Sequence, residues 1–265
     1  MLRPSSAQVN SHLNRRIQAE SARHHSERPY LLKPEYRAMK PFEKLLLENK
    51  AWAEAIKTKQ PDYFKRLARD QTPEILWIGC SDSRVPAEII VNAEPGEIFV
   101  HRNIANQVIS TDFNSLSVVQ YAVDVLEVKH VIVCGHYNCG GVKVALDRQR
   151  SDLVLVNKWL AHIKDIYRLH RDEFASLPEG ARQVDRLVEL NVIEQVRRLS
   201  HTSIIQHAWK RAQRPVLHGW VYSLEDGLID QLITLPPGSR IDSIYQYVDP
   251  PENQSASLGI DSKSK

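Results

Sequence analysis

Residues 74–88 read EILWIGCSDSRVPAE and residues 128–141 read VKHVIVCGHYNCGG. Each is a short run of β-branched and aromatic residues that breaks abruptly into small and polar ones, the mark of a buried strand entering a loop. Comparable runs occupy 98–102 and 216–222, which predicts strands over 74–80, 98–102, 131–135 and 216–222. Long helical segments separate them. Strands alternating with helices indicate an α/β fold, a mainly parallel central sheet flanked by helices. In such a sheet the loops at the carboxyl ends of the strands converge on one crevice. Cys80, Asp82 and Arg84 follow one strand and His136 and Cys139 follow another, so all five are expected at that edge.

The spacing supports the intervening helices. From Lys40 to Arg69, Phe42, Leu45, Leu46, Trp52, Ala55 and Ile56 recur at helical intervals, and Pro61 divides the run into two helices, an N-terminal helical arm. Thr111 or Asp112 is a fitting cap for a helix whose apolar positions include Leu116, Val119, Val123 and Leu126. Ser200 is the expected cap of a helix ending near Ala212. Further helices are expected over 159–174 and 184–199, with Pro178 and Gly180 in the turn between them. The chain accordingly reads as a basic extension over 1–38, one catalytic domain over 39–250, and a flexible polar tail over 251–265.

Composition narrows the function. The 265 residues are 42% hydrophobic, enough for a sizeable core, and 35 basic against 32 acidic side chains leave a net charge of +3. So even a balance disfavours a nucleic-acid surface. No apolar stretch reaches the roughly 18 residues of a membrane span. Three cysteines are poor material for a disulfide framework, so a reducing compartment is expected rather than secretion. The first 19 residues contain Arg3, Arg15, Arg16, Ser5, Ser6 and Ser11 and no acid. A mitochondrial transit peptide and a solvated terminus both fit that composition, which leaves the matrix or the cytoplasm as the expected location.

Cys80, His136 and Cys139 form a set suited to zinc, which takes thiolate and imidazole ligands and, in catalytic sites, keeps a fourth position open. The plainer alternatives are two buried small hydrophobes beside a loop histidine, or a redox pair of Cys134 and Cys139. The latter lacks C-x-x-C spacing, and Cys134, inside the run Val131-Ile132-Val133, reads as a packing residue. Asp82 and Arg84 are either an ordinary surface ion pair or the groups that attend the open position. His101, His130 and the remaining histidines show no ligand spacing. Gly140 and Gly141 are expected to let the backbone turn closely past the ligand loop.

The segments CSDSRVPAE (80–88), EPGEIFVHRN (94–103), SVVQYAVDVLEV (117–128) and GHYNCGG (135–141) together closely resemble the β-class carbonic anhydrases. The likeness runs from about residue 40 to 249. It implies that Cys80, His136 and Cys139 bind Zn²⁺, that Asp82 and Arg84 form a catalytic dyad, and that the reaction is zinc-hydroxide-dependent, reversible hydration of carbon dioxide to bicarbonate. It further implies a homodimer or homotetramer with the cleft at a subunit interface. Trp77, Arg102 and Tyr222 match the non-catalytic bicarbonate pocket of the product-inhibited subgroup. Hydrolysis of a related heterocumulene such as carbon disulfide, or a zinc- and bicarbonate-binding sensor without turnover, are the competing readings.

Overall fold

The computed structural model describes residues 38–178 and 180–248, so the polar tail and nearly all of the basic extension lie outside the described residues. The chain divides into two compact units, Met1–Arg69 and Asp70–Lys265. In the first, helix α1 (Pro41–Lys59) starts with proline where no amide partner is needed, and Glu43 accepts the Lys40 amide at 3.0 Å. After the break at Pro61 comes α2 (Tyr63–Leu67), and the Trp52 ring meets Phe64 edge-on at 5.5 Å. The expected pair of helices is present.

The second unit is built on a five-stranded sheet, β1 (Ile75–Cys80), β2 (Ile98–Asn103), β3 (His130–His136), β4 (Val216–Tyr222) and β5 (Ile229–Leu235), in the order β2-β1-β3-β4-β5. The first four are parallel and β5 is antiparallel to β4. All but the first residue of β1 and of β3 are buried, as continuous apolar runs require when both faces of a strand are covered. From β1 the chain moves outward to β2 and then back across to β3. The carboxyl ends of β1 and β3 therefore flank the reversal point, where a crevice opens in a sheet of this kind.

Around the sheet lie α3 (Ala87–Ile90), α4 (Phe113–Gln120), α5 (Gly140–Leu146), α6 (Val154–Leu169), α7 (Arg171–Ala175), α8 (Ala181–Ser200) and α9 (Ser203–Ala212). Helix α8 crosses the sheet where it has no side chains. A Cβ on Gly135 would lie 2.6 Å from Val192, and one on Gly219 would lie 3.0 Å from the same valine. Leu76, Ile78, Val131, Val133 and Leu217 pack with Val196, Leu199, Ile205 and Trp209 into one core cluster. On the other side Trp77, Ile132 and Cys134 pack with Trp220 and Tyr222. Cys134 is the packing residue that its sequence context suggests, and burial pushes its thiol well above the usual range.

Several elements differ from the sequence expectations. Ser200 is the last residue of α8, where its hydroxyl donates to Arg197 O, and Thr202 caps α9 by accepting the Ile205 amide at 3.3 Å. The helix expected over 159–174 begins five residues earlier at Val154 and breaks at His170, whose φ of −106° ends α6 and starts α7. Strand β5 was not expected, yet Asp226 and Gly227 (φ 76°) make the turn that leads into it. Asp112, not Thr111, caps α4 by accepting the amides of Asn114 and Ser115.

Candidate metal centre

Cys80 ends β1, His136 ends β3 and Cys139 directly precedes α5. The register pairs Gly79 with Cys134, so the two strand ends are neighbours although 56 positions (136 − 80) separate the ligands in sequence. All three side chains are buried and their donor atoms lie within 4.8 Å of one another. Among the described residues no other set of three or more histidines, cysteines or carboxylates converges in this way.

The donor chemistry fits zinc. Two thiolates about 2.3 Å from a tetrahedral ion stand about 3.8 Å apart; the sulfurs of Cys80 and Cys139 are 3.9 Å apart. His136 Nδ1 lies 2.9 Å from the Tyr137 carbonyl, a bond that requires the hydrogen on Nδ1 and leaves a lone pair on Nε2. That Nε2 is buried and has no hydrogen-bond partner. A buried imidazole nitrogen is costly to leave bare, and a cation facing it removes the cost. The two sulfurs lie against each other, a contact that lowers the Cys80 thiol and raises that of Cys139. A dication facing both would let both ionise.

Asp82 and Arg84 hold each other more firmly than a surface ion pair does. Arg84 Nε donates to Asp82 Oδ1 at 2.9 Å and Nη2 to Oδ2 at 2.7 Å, while the Arg84 amide adds a third bond to Oδ1 at 2.9 Å. The forked guanidinium matches the carboxylate edge, and only 18% of the Asp82 side chain is exposed. The guanidinium holds the Asp82 carboxyl well below the usual carboxylate range, so the group is an anion and an acceptor at any working pH. Its Oδ2 is 3.8 Å from His136 Nε2, within a side-chain rotation of the ligand cluster. Arg84 Nη2 also donates to the carbonyl of Asn138 at 3.3 Å, and Asn138 stands in the left-handed region with φ 57° immediately before Cys139. The dyad and the ligand loop are thus joined through one peptide.

Trp77, Arg102 and Tyr222 lie on β1, β2 and β4, and the register sets Arg102 opposite Gly79 and Tyr222 opposite His136. Among the described residues no hydrogen bond links the three side chains. Instead Arg102 Nε donates to the Cys80 carbonyl at 2.8 Å and Nη2 donates to that of Asp82, clamping the segment that carries ligand and dyad. Trp77 is 2% exposed, and its Nε1 is 2.7 Å from where a Cβ on Gly79 would stand, which holds that position to glycine. Gly141, not Gly140, is the glycine that close packing requires: a Cβ there would meet Ile104 at 2.9 Å, whereas one on Gly140 would meet nothing.

Sequence reasoning missed the groups behind the site. The Ala105 amide donates to Cys80 Sγ at 3.4 Å from a turn in which Ala105 (φ 60°) and Asn106 (φ 46°) are both left-handed. Asn191 on α8 holds this turn by donating to the Ala105 carbonyl at 2.9 Å, and Gln195 braces Asn191 at 2.8 Å while accepting the Val108 amide. Tyr137 donates to Glu189 at 2.9 Å, and Arg186 grips the same carboxylate, so the ligand loop is tied to α8 as well. The readable signal was a pair of amides four apart on a helix face that is otherwise apolar.

The sequence pattern of the carbonic anhydrase family matches residues 75–229. A carbonic anhydrase of Emericella nidulans is 48% identical over 205 residues, spanning 77% of this chain and 89% of that protein. Among solved structures, a tetrameric β-carbonic anhydrase of Sordaria macrospora is 38% identical with a TM-score of 0.70, covering 73% of this chain and 98% of its own. A Coccomyxa β-carbonic anhydrase in complex with acetazolamide is 37% identical with a TM-score of 0.71, covering 75% and 89%.

Proposed function

The chain belongs to the β class of the carbonic anhydrase family, and on that premise we propose that Cys80, His136 and Cys139 hold its zinc while Asp82 and Arg84 govern the fourth position. It is a carbonate dehydratase, acting on carbon dioxide and bicarbonate. The observation that carries the assignment of ligands is the bare, buried His136 Nε2 beside two sulfurs 3.9 Å apart. When bound, zinc supplies a Lewis acid that lets water lose a proton at accessible pH.

Asp82, ionised and therefore only an acceptor, accepts a hydrogen bond from the attacking oxygen at Oδ2 and so turns that oxygen's lone pair toward carbon dioxide, without itself becoming protonated. Arg84 keeps the carboxylate in that posture by its fork of hydrogen bonds. Cys80 and Cys139 cancel the charge of a dication, so water is acidified less than in a three-histidine site, where its pKa is about 7. Asp82 does not titrate in this range. Stopped-flow hydration is therefore expected to speed up with pH from neutrality into mildly alkaline solution. A profile already flat below neutrality would defeat the charge argument, and no hydration at any pH would defeat the proposed function.

Trp77, Arg102 and Tyr222 are proposed as a regulatory bicarbonate pocket. The support is Arg102, a cation whose present acceptors are the carbonyls of Cys80 and Asp82. An anion that competes for this guanidinium loosens the segment carrying Asp82 and favours a state with the carboxylate turned inward; it shifts the balance only by its preference for that state. Trp77→Phe preserves aromatic packing and removes the indole donor. It is expected to relieve inhibition by added bicarbonate several-fold, and inhibition equal to that of the parent would remove the pocket. A homodimer or homotetramer is also proposed, because a relative of the same fold is tetrameric. Sedimentation showing a fully active monomer would contradict it.

A further inference from the structure

Two histidines meet at the end of the sheet remote from the cysteines. His130 opens β3, His218 lies in β4 opposite Ile132, and Thr234 of β5 stands opposite His218. His130 Nδ1 and His218 Nε2 face each other at 3.1 Å, with ring centroids 5.2 Å apart and planes inclined by 44°. The other nitrogen of His218, Nδ1, is 3.5 Å from Thr234 Oγ1. Both rings are half-buried, and the pair is 88 positions apart in sequence, which is why no spacing reveals it.

Two imidazole nitrogens in this posture need something positive between them. A hydrogen on one satisfies both, and so does a transition-metal ion. Nitrogens about 2.0–2.1 Å from one ion, at angles between square and tetrahedral, lie roughly 2.8–3.4 Å apart. The observed 3.1 Å is inside that interval. Histidines that ligate metals characteristically donate their second ring N–H to an oxygen, which fixes the tautomer and the ring plane. Thr234 Oγ1 is placed to accept from His218 Nδ1 and leave the Nε2 lone pair toward His130.

We propose that His130 and His218 form a second metal site, an open two-imidazole chelate for a borderline transition-metal dication such as Zn²⁺, Ni²⁺ or Cu²⁺. Its surroundings suit a cation. Burial and the neighbouring His130 push the His218 pKa down, which keeps it an available donor near neutrality. Glu74, at the head of β1 and engaged by Lys129, is close enough for His130 to act on its charge. No third histidine, cysteine or carboxylate among the described residues completes the set, so water fills the remaining positions and binding is weaker than at Cys80, His136 and Cys139.

Nickel is the probe, because it favours imidazole and does not oxidise thiols. The full-length, zinc-loaded protein is titrated calorimetrically with Ni²⁺ beside His130→Gln and His218→Gln. Each variant is expected to bind one ion fewer per chain than the parent, with basal carbon dioxide hydration unchanged as the check on folding. Thr234→Val is expected to keep the stoichiometry and weaken that site about tenfold, as loss of an orienting partner does. Equal stoichiometry in the parent and both variants overturns the proposal. Should a glutamine variant not fold, anomalous scattering from nickel-soaked crystals of the parent decides the matter: an ion between the two rings supports the site, and none there refutes it.

Discussion

Arg84→Ala is expected to keep its full complement of zinc and to lose about 10²–10³-fold in turnover, the scale on which removing one preorganised group from a reaction centre is felt. The guanidinium does not reach the three ligand side chains, so metal affinity has little reason to change. What changes is Asp82. Three hydrogen bonds now hold its carboxylate beside the cluster, and two of them come from the guanidinium. Without them, a half-buried anion 3.8 Å from His136 Nε2 has a dication as the strongest partner within reach, and it turns inward to close the fourth position. The Asn138 carbonyl also loses its bond from Arg84 Nη2, which loosens the peptide that precedes Cys139. Arg84→Lys is expected to fall between the two, since an ammonium restores charge and not the fork. Zinc analysis with stopped-flow hydration on the same samples is the measurement. Unimpaired turnover at full zinc occupancy would show that Asp82 does not need restraint.

The architecture was legible because its decisive stretches are buried on both sides. Leu76 to Cys80 and Val131 to His136 have no solvent face, so they could only be apolar runs, and their ends stand out as the first polar and small residues. β5 is the converse. Asp230, Gln231 and Thr234 are exposed in an edge strand whose apolar content is diluted, and the Asp226-Gly227 turn was its clearer announcement. Ser200 and Thr202 are both sound caps by residue type; the choice was made by α8 continuing until Ser200 was inside it, with Leu199 and Ser200 buried. The metal ligands were readable from their residue types at two strand ends. Their support was not, because Asn191 and Gln195 act on Ala105 and Val108 from 86 and 87 positions away. The meeting of His130 with His218 depends likewise on the order of the strands, which no local spacing encodes.

Cys139→Ser is expected to lose zinc affinity by more than the 10–100-fold that follows removal of an outer hydrogen-bonding partner, and to lose hydration activity in proportion to the zinc released. Serine keeps the shape of cysteine, but its hydroxyl ionises far less readily than a thiol, and zinc selects the anionic sulfur. Folding offers no competing explanation, because position 139 is the residue that caps α5 and serine is among the best N-caps, so the helix carrying Gly141 and Val142 should not fray. Loss of a bound ion still lowers the apparent stability. At a free zinc concentration 1,000 times the dissociation constant the parent gains about 4 kcal/mol from binding, and the variant forfeits most of it. Chelator competition and thermal melts with and without added zinc report the two effects separately: the melting points of the two metal-free proteins should nearly coincide, and only the parent should rise strongly with zinc. A serine variant that held its ion through chelation and hydrated carbon dioxide at the parent's rate would mean that the metal sits on donors other than Cys80, His136 and Cys139. The bare nitrogen of His136 would then need another cause, and the cleft at the reversal of the sheet another purpose.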